Sequence, residues 1–473
     1  MASLRSKKVV VLGLLHPGVA TIRFLHQQGA LVKAFGVASE EDVRRIKSQL
    51  QGVEFELSTP DIPKGALLAA DLIIQTPGGG RRYKAEIAEA GKKGIPIVTD
   101  LELACQFFRS PIIAVTGTNG KSTVIHMVKT ALELAKKKVV VAGGDYLDFA
   151  ASIPLAAQCD YILLELNSSR LDRAKNFHPH IAVLTNIYPG HAERYETFEE
   201  YISIKAKIFQ SQDENDYLVH PSVPQIRTLI GDKKARAKRL PFSIGHHVEH
   251  GVQYDPKNNI ALFRSFTKLE NHFSLKTPAL IGAHNIENYL AAIAVSKVCG
   301  LSDSIVQEMI NKTPSLPDKM EILQTIDGIT YINDAKAVNM AATAKSLYHC
   351  KDHSVVLITG GVYILQQQYQ ELIPLLKEKA RSLIIFGEKR RRFYEKWKGA
   401  TQIYVVPELK DAVRLATRMA EKGNVVLFSP ASRPEPTVYA TTHVRGEEFR
   451  RLVRDIAELS KARKSFVPFI TGI

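Results

Sequence analysis

Cysteine and tryptophan are scarce, with four cysteines and one tryptophan in 473 residues. Cys105, Cys159, Cys299 and Cys350 lie far apart and form no Cys-x-x-Cys pair. A disulfide-built scaffold and a cysteine zinc ribbon are thereby excluded, and free thiols in a reducing compartment are the simplest reading. No apolar run approaches the roughly 18–20 residues that a membrane-crossing helix needs, so membrane insertion is not expected. The opening Met-Ala-Ser-Leu-Arg-Ser-Lys-Lys leads directly into an apolar stretch at residues 9–12. That stretch is too short for a signal-peptide core and lacks a cleavage pattern, so a cytoplasmic location is expected. Internal repeats and low-complexity segments are absent too. Acidic residues are outnumbered, 48 against 63 Lys and Arg, for a net charge of +15. The basic clusters at 136–138, 233–239 and 389–392 are scattered, and only Phe393, Tyr394 and Trp397 interleave with one of them. Nucleic-acid binding needs a continuous stripe or a recognisable module, so none is expected. The charge reads as solvated faces that also steer an anionic substrate.

What is present is a soluble composition, 45% hydrophobic and 23% charged, in a chain too long for one core. Its most informative stretch is Pro111-Ile-Ile-Ala-Val-Thr-Gly-Thr-Asn-Gly-Lys-Ser-Thr123. Residues 112–115 read as a buried strand. Residues 117–123 read as a loop, and Val124, Met127, Val128, Ala131, Leu132 and Leu134 follow at helical spacing. A strand, a Gly-x-x-Gly-Lys-Ser-Thr loop and a helix start make a phosphate cradle. Backbone N–H groups of Gly117, Thr118, Asn119, Gly120 and Thr123 converge, Lys121 neutralises terminal phosphates, and Ser122 offers a hydroxyl to Mg2+. An ordinary strand-to-helix turn has no use for Lys-Ser-Thr at that position.

Residues 1–108 alternate strand and helix, with strands at 8–12, 31–35, 72–75 and 95–98, as in a Rossmann-like parallel sheet. Gly13 and Gly18 do not complete a Gly-x-Gly-x-x-Gly fingerprint, which leaves a nicotinamide dinucleotide poorly supported. Glycine-bearing strand ends on one edge still suit a diphosphate or a uridine. Residues 109–313 hold the phosphate loop and further strands at 139–142, 161–166 and 181–186. Glu165, near the end of one of these, stands where a nucleotide-binding sheet places a magnesium partner. His191 follows a Pro-Gly pair, and Lys205, on a predicted helix, reads by itself as a surface lysine. Asn285 and Asn288 open another helix and look like caps. Residues 314–473 alternate again, with strands at 329–333, 355–359, 383–386, 402–405 and 425–428. The predicted fold class is α/β in three domains: two Rossmann-like sheets flanking a central P-loop ATPase-type sheet.

Together, Thr116-Gly-Thr-Asn-Gly-Lys-Ser-Thr123, Glu165, residues 186–191, residues 282–288 and Tyr331-Ile-Asn-Asp-Ala-Lys-Ala-Val-Asn339 resemble the Mur ligases. These ATP-dependent enzymes build the peptide of the bacterial cell wall. The resemblance spans the central and C-terminal domains in order and is nearest to the D-glutamate-adding branch. It implies a UDP-sugar-binding N-terminal domain, a central ATP-binding domain and a C-terminal domain that brings the incoming amino acid. It implies a monomer taking a UDP-linked muramoyl substrate and a free amino acid, with ATP and Mg2+. Lys121, His191, Lys205 and Lys336 become catalytic residues. Ser122, Glu165, His191 and a carbamylated Lys205 become metal ligands. Asn285, Lys319 and Asp334 reach the nucleotide, and Asp145, Ser168, Ser169, Asn339 and Ser429 bind substrate.

Departures from the family pattern concentrate on the acceptor side. Gly190 replaces Asp before the histidine, Arg170 replaces Gln in the Ser-Ser-Phe-Gln-Leu segment, and Gly143-Gly-Asp145 replaces Gly-Gly-Asn. Ala335 replaces Ser and Val338 replaces Thr. The branch's lysine is absent from Gly360-Gly-Val-Tyr-Ile364, and Ser-Pro-Ala-x-Ala-Ser becomes Ser429-Pro-Ala-Ser-Arg-Pro434. A ligase with another acceptor and a silent nucleotide-binding paralogue both remain open readings at this point.

Overall fold

The computed structural model describes residues 3–14, 16–36, 40–58, 62–63, 65–77, 79, 83–144, 146–188, 195, 197–232, 235–267, 269–280, 283–314, 316–348, 350–362, 369–435, 438–439 and 441–465. The chain forms two compact units, Met1–Thr313 and Pro314–Ile473.

The first unit carries two sheets. One contains β1 (Lys8–Leu12), β2 (Leu31–Phe35), β3 (Glu56–Ser58), β4 (Leu72–Gln75) and β5 (Ile97–Thr99), all parallel, in the order β3-β2-β1-β4-β5. Valines at 9–11 are buried on both faces, as a strand sandwiched between helices requires. The expected strand at 95–98 starts at Ile97, because Pro96 has no N–H for the ladder; its carbonyl instead accepts from Ile73 N at 2.9 Å.

The second sheet has nine strands: β6 (Ile112–Thr116), β7 (Val139–Gly143), β8 (Tyr161–Glu165), β9 (Ile181–Leu184), β10 (Tyr217–Pro221), β11 (Lys238–Ile244), β12 (Gly251–Asp255), β13 (Ile260–Arg264) and β14 (Glu270–Ser274). Their order is β14-β13-β12-β11-β10-β9-β6-β8-β7. The run from β7 to β12 is parallel, and β13 and β14 add antiparallel. The chain runs from β6 to β7 and β8 on one side of β6 and then crosses to β9 on the other, so the carboxyl end of β6, beside β9, is the crevice where such sheets bind ligands. The helices Lys121–Leu134 and Ala283–Val298 pack on one face of this sheet; residues 289–295 of the latter are all fully buried.

The two expected domains at 1–108 and 109–313 share one apolar core. The helix Phe149–Ala156 packs against His16–Gln27 of the first sheet's layer and against Asp100–Cys105, joining Phe24, Leu103, Phe149 and Ile153 in a single cluster. Polar ties reinforce it. Arg170 Nη1 donates to both oxygens of Asp100, at 2.8 and 2.6 Å. Glu102 closes a capping box with Thr99, and its other oxygen accepts from the backbone N–H groups of Lys175 and Asn176, at 2.7 and 3.1 Å.

The second unit is a six-stranded sheet of β15 (Glu321–Ile326), β16 (Ile329–Asn333), β17 (Val355–Gly360), β18 (Ala380–Phe386), β19 (Gln402–Val405) and β20 (Val425–Phe428), ordered β15-β16-β20-β17-β18-β19. It is parallel except for the β15–β16 hairpin. The helix Thr442–Ser465 closes one face through Phe449, Val453 and Ala457.

Candidate active site

The phosphate loop leaves the carboxyl end of β6 and enters the Lys121–Leu134 helix. Gly117 takes φ +153 and Gly120 φ +82, and both are crowded. A Cβ on Gly117 would lie 1.8 Å from Thr185 Oγ1, and one on Gly120 would lie 2.3 Å from Asn288 Oδ1. Glycine is therefore required at both positions by backbone angle and by space. Gly120 caps the helix without a side-chain hydrogen bond, so the first-turn N–H groups receive no side-chain cap and remain suited to an anion.

The loop is held from outside by groups that the sequence pattern did not single out as site residues. Asn186 accepts from Asn119 N at 2.9 Å and donates back to Asn119 O at 3.2 Å. Thr185 Oγ1 donates to Asn119 O at 2.6 Å, and Thr118 Oγ1 lies 3.2 Å from the Tyr201 hydroxyl. Lys121 Nζ folds back to donate to the carbonyls of Gly117 and Thr118, at 3.0 and 3.1 Å. Ser122 and Thr123 are the next residues of the same helix. Asn285 and Asn288 are not caps: the helix begins at Ala283, and Asn288 Nδ2 donates to Asn285 Oδ1 at 3.0 Å while its oxygen faces Gly120.

Glu165 ends β8 directly beside β6, in register with Val115, and is 6% exposed. A Cβ on Gly144 would lie 2.5 Å from its Cδ, so the turn after β7 lies tight against this carboxylate.

Lys205, a surface lysine by its local pattern alone, is buried. Its helix, Phe198–Ala206, starts at an N-cap Thr197 that accepts from Glu200 N, and it buries Lys205 to 1% exposure. The amine donates to Gly117 O at 2.9 Å, lies 3.4 Å from Thr116 Oγ1, and stands 4.8 Å from the centre of the Tyr201 ring. Burial, aided by the nearby Lys121 charge, lowers its pKa to about 7. Ser168 is buried and Ser169 half-buried in the short turn Ser168–Leu171 after β8. His191 and Asp145 lie outside the described residues.

In the second unit, the run at 331–339 brings a polar cluster together. Asp334 is 4% exposed; it accepts from Ser346 Oγ at 2.6 Å, Ser429 Oγ at 2.8 Å and Met320 N at 3.1 Å. Burial nevertheless raises its pKa to about 6. Ser429, fully buried, is thus joined to Asp334 and to Thr343 Oγ1, 2.8 Å away. Asn333 Nδ2 donates to Asp318, whose carboxylate also meets His443 and Arg450. Lys319 is exposed and Lys336 half-buried, with Lys336 N donating to Asp318 O at 2.9 Å. Asn339, exposed, accepts from Ala342 N at 2.9 Å at the start of the Met340–Tyr348 helix.

A parallel sheet whose central strand feeds a glycine loop, a lysine and an uncapped helix start defines a nucleoside-phosphate-binding α/β protein. Comparison with known proteins narrows this. Residues 115–296 match the Mur ligase middle domain, 319–432 the Mur ligase, glutamate ligase domain, and 7–99 the Mur ligase MurD-like N-terminal domain. UDP-N-acetylmuramoylalanine–D-glutamate ligase of Koribacter versatilis is 32% identical over 457 residues, 97% of this chain and 99% of that one. Its counterpart in Geotalea uraniireducens is 31% identical over 454 residues, 96% and 98%. The chain belongs to the Mur ligase family. Among solved structures, UDP-N-acetylmuramate-alanine ligase of Thermotoga maritima shares the fold with TM-score 0.55 at 17% identity, covering 95% of this chain and 99% of that one.

Proposed function

We propose that this protein is an ATP-dependent ligase of peptidoglycan precursor synthesis that adds D-glutamate to UDP-N-acetylmuramoyl-L-alanine. The substrate carboxylate attacks the γ-phosphorus of ATP, ADP leaves, and an acyl phosphate forms. The glutamate amine then attacks the acyl carbon, inorganic phosphate leaves, and the amine loses a proton. Steps of this kind need positioning and charge neutralisation more than covalent help from the protein. The loop N–H groups and Lys121 hold the β- and γ-phosphates. Asn285 takes the adenine side, and Lys319 and Asp334 contribute from the C-terminal domain, where Lys336 steadies the acyl phosphate. The first domain, residues 1–108, takes the UDP-sugar, the second, 109–313, the ATP, and the third, 314–473, the amino acid.

Mg2+ takes oxygen ligands, and the Ser122 hydroxyl and the buried Glu165 carboxylate would hold one such ion, with His191 and Lys205 holding a second; the cations would supply charge neutralisation to the transferring phosphoryl group. Lys205 carries the proposal. A lysine amine that is substantially neutral near pH 7 reacts with CO2 to give a carbamate and a proton, which turns a buried cation into a carboxylate-like ligand. We take the enzyme to be cytoplasmic and monomeric, as the family resemblance implies; among the described residues no helix is long and apolar enough to cross a membrane.

A second reading, another amino acid in place of D-glutamate, is favoured by Ser429, whose hydroxyl is committed to Asp334, and by Arg170, committed to Asp100. Phosphate release from ATP and UDP-N-acetylmuramoyl-L-alanine against a panel of D- and L-amino acids tests both. Release with D-glutamate alone is the expected result. Release with another amine overturns the acceptor, and no release with any amine despite ATP binding overturns the ligase.

A further inference from the structure

At the opposite, amino-terminal ends of the strands of the nine-stranded sheet, where β9 and β10 begin, four side chains converge. The phosphate loop lies at the carboxyl ends of these parallel strands, so this cluster is a strand length away, on the order of 13 Å for four residues. His178 and His180 precede β9, and Asp213 and Asp216 form the turn that precedes β10. The frame is fixed. Tyr217 N donates to His180 O at 2.9 Å, and Gln212 Nε2 donates to the carbonyls of Pro179 and Tyr217, both at 3.0 Å.

His178 Nε2 lies 2.5 Å from Asp216 Oδ2, and His180 Nδ1 lies 3.2 Å from Asp216 Oδ1. Asp213 N donates to Asp216 Oδ2 at 2.9 Å, while one Asp213 oxygen accepts from Asn215 N at 2.8 Å. One donor atom each from His178, Asp213 and Asp216 lie within 4.8 Å of one another. Two donors on a tetrahedral centre with bonds of 2.0–2.2 Å are about 3.3–3.6 Å apart, so a common ion is seated once His178 and Asp216 part by about 1 Å.

An ordinary ion pair accounts for one imidazole on Asp216. It does not account for a second carboxylate, that of half-buried Asp213, within reach of both the exposed His178 and an Asp216 that is only 5% exposed. We propose that His178 Nε2 and the carboxylates of Asp213 and Asp216 form a binding site for a zinc-class divalent cation, with His180 orienting Asp216 through its other oxygen. Mixed imidazole and carboxylate donors select zinc, cobalt or nickel over magnesium, which takes oxygen ligands. Binding displaces any proton held between His178 and Asp216 and releases it to solvent. The ion would close the segment from 178 to 216, which carries Lys205, at its base.

The test is calorimetric titration of the full chain with Zn2+ in excess Mg2+, repeated on His178→Gln and Asp213→Asn. One saturable site is expected, weakened at least tenfold in each variant. Zn2+ is also expected to raise the melting temperature of the wild type and of neither variant. Co2+ should give a tetrahedral visible spectrum without a thiolate band, lost in His178→Gln. No saturable Zn2+ binding, binding unchanged in both variants, or a thiolate band would overturn the site.

Discussion

Lys205 offers the sharpest test of the chemistry. An ordinary lysine, with pKa near 10.5, is neutral in roughly one molecule in 3,000 at pH 7. With its pKa lowered from 10.5 to about 7, close to half of the Lys205 amines are neutral there. Free amine for CO2 capture thus rises by about three orders of magnitude. The gap also has a stability consequence, on the order of 5 kcal/mol at the acid end. The folded-state pKa lies below the unfolded one, so the unfolded chain binds more protons between pH 7 and 10.5. The buried charge therefore costs stability fully below pH 7, and the cost fades as pH rises toward 10.5. In CO2-free buffer, Lys205→Met should be more stable than the wild type near pH 6, with the difference shrinking toward pH 10; chemical denaturation across that range measures it. Catalytically, Lys205→Ala should lower phosphate release by about 10²-fold or more, with partial recovery in acetate or formate, because a small carboxylate would replace the proposed carbamate. The wild type should lose activity in CO2-free buffer and regain it with bicarbonate. Full activity in Lys205→Ala, or indifference to both CO2 and added carboxylate, would refute the reasoning.

Lys121→Ala should reduce turnover by roughly 10²–10³-fold in the phosphate-release assay, since in the proposed mechanism it removes the charge that neutralises the transferring group. Gly120→Ala forces a side chain into a φ of +82 and against Asn288; ATP affinity, read by calorimetry, should fall, and Asn288→Ala in the same chain should restore part of it. Arg170→Ala leaves the Asp100 carboxylate, raised in pKa by burial, without its guanidinium, and a loss of about 3 kcal/mol is expected in denaturant unfolding. Asp334 has a folded-state pKa of about 6 against 3.8, so its contribution is most favourable below pH 3.8 and is lost as pH rises through 6. Asp334→Asn should remove that slope, making the variant relatively more stable at pH 8 than at pH 4.

The phosphate loop was legible in the sequence because Gly-x-x-Gly-Lys-Ser-Thr between an apolar strand and an amphipathic helix is a pattern that no ordinary turn requires, and the structure places it there, with both glycines demanded by space. Parallel strands covered on both faces, such as β1 and β8, were legible from continuous apolar runs, Val9–Val11 and Ile162–Leu164, with no polar alternation. β3, β10–β15 and the bulge between Ile322 and Gln324 were not read, since strands such as Glu270–Ser274 are short, polar and half-exposed, and their pairing is decided by neighbours. The site was legible by residue type and opaque in its supports. Asp334 and Ser429 are 95 residues apart and Arg170 and Asp100 are 70 apart, distances over which a single sequence carries no pairing signal. Lys205 read as a surface residue because nothing around it in the chain announces that Gly117 O would cover its amine.

The carboxylate of Glu102 has a consequence for anyone recombining such proteins. One oxygen serves the capping box of its own helix, and the other receives the turn at Lys175 and Asn176 from the central sheet. Residues 1–108 are therefore not a cassette to be exchanged at a convenient junction. A chimera that takes its front portion from a relative must also inherit a matching 170–176 segment, or the Arg170 guanidinium and the Lys175 and Asn176 N–H groups lose the acceptors they have here.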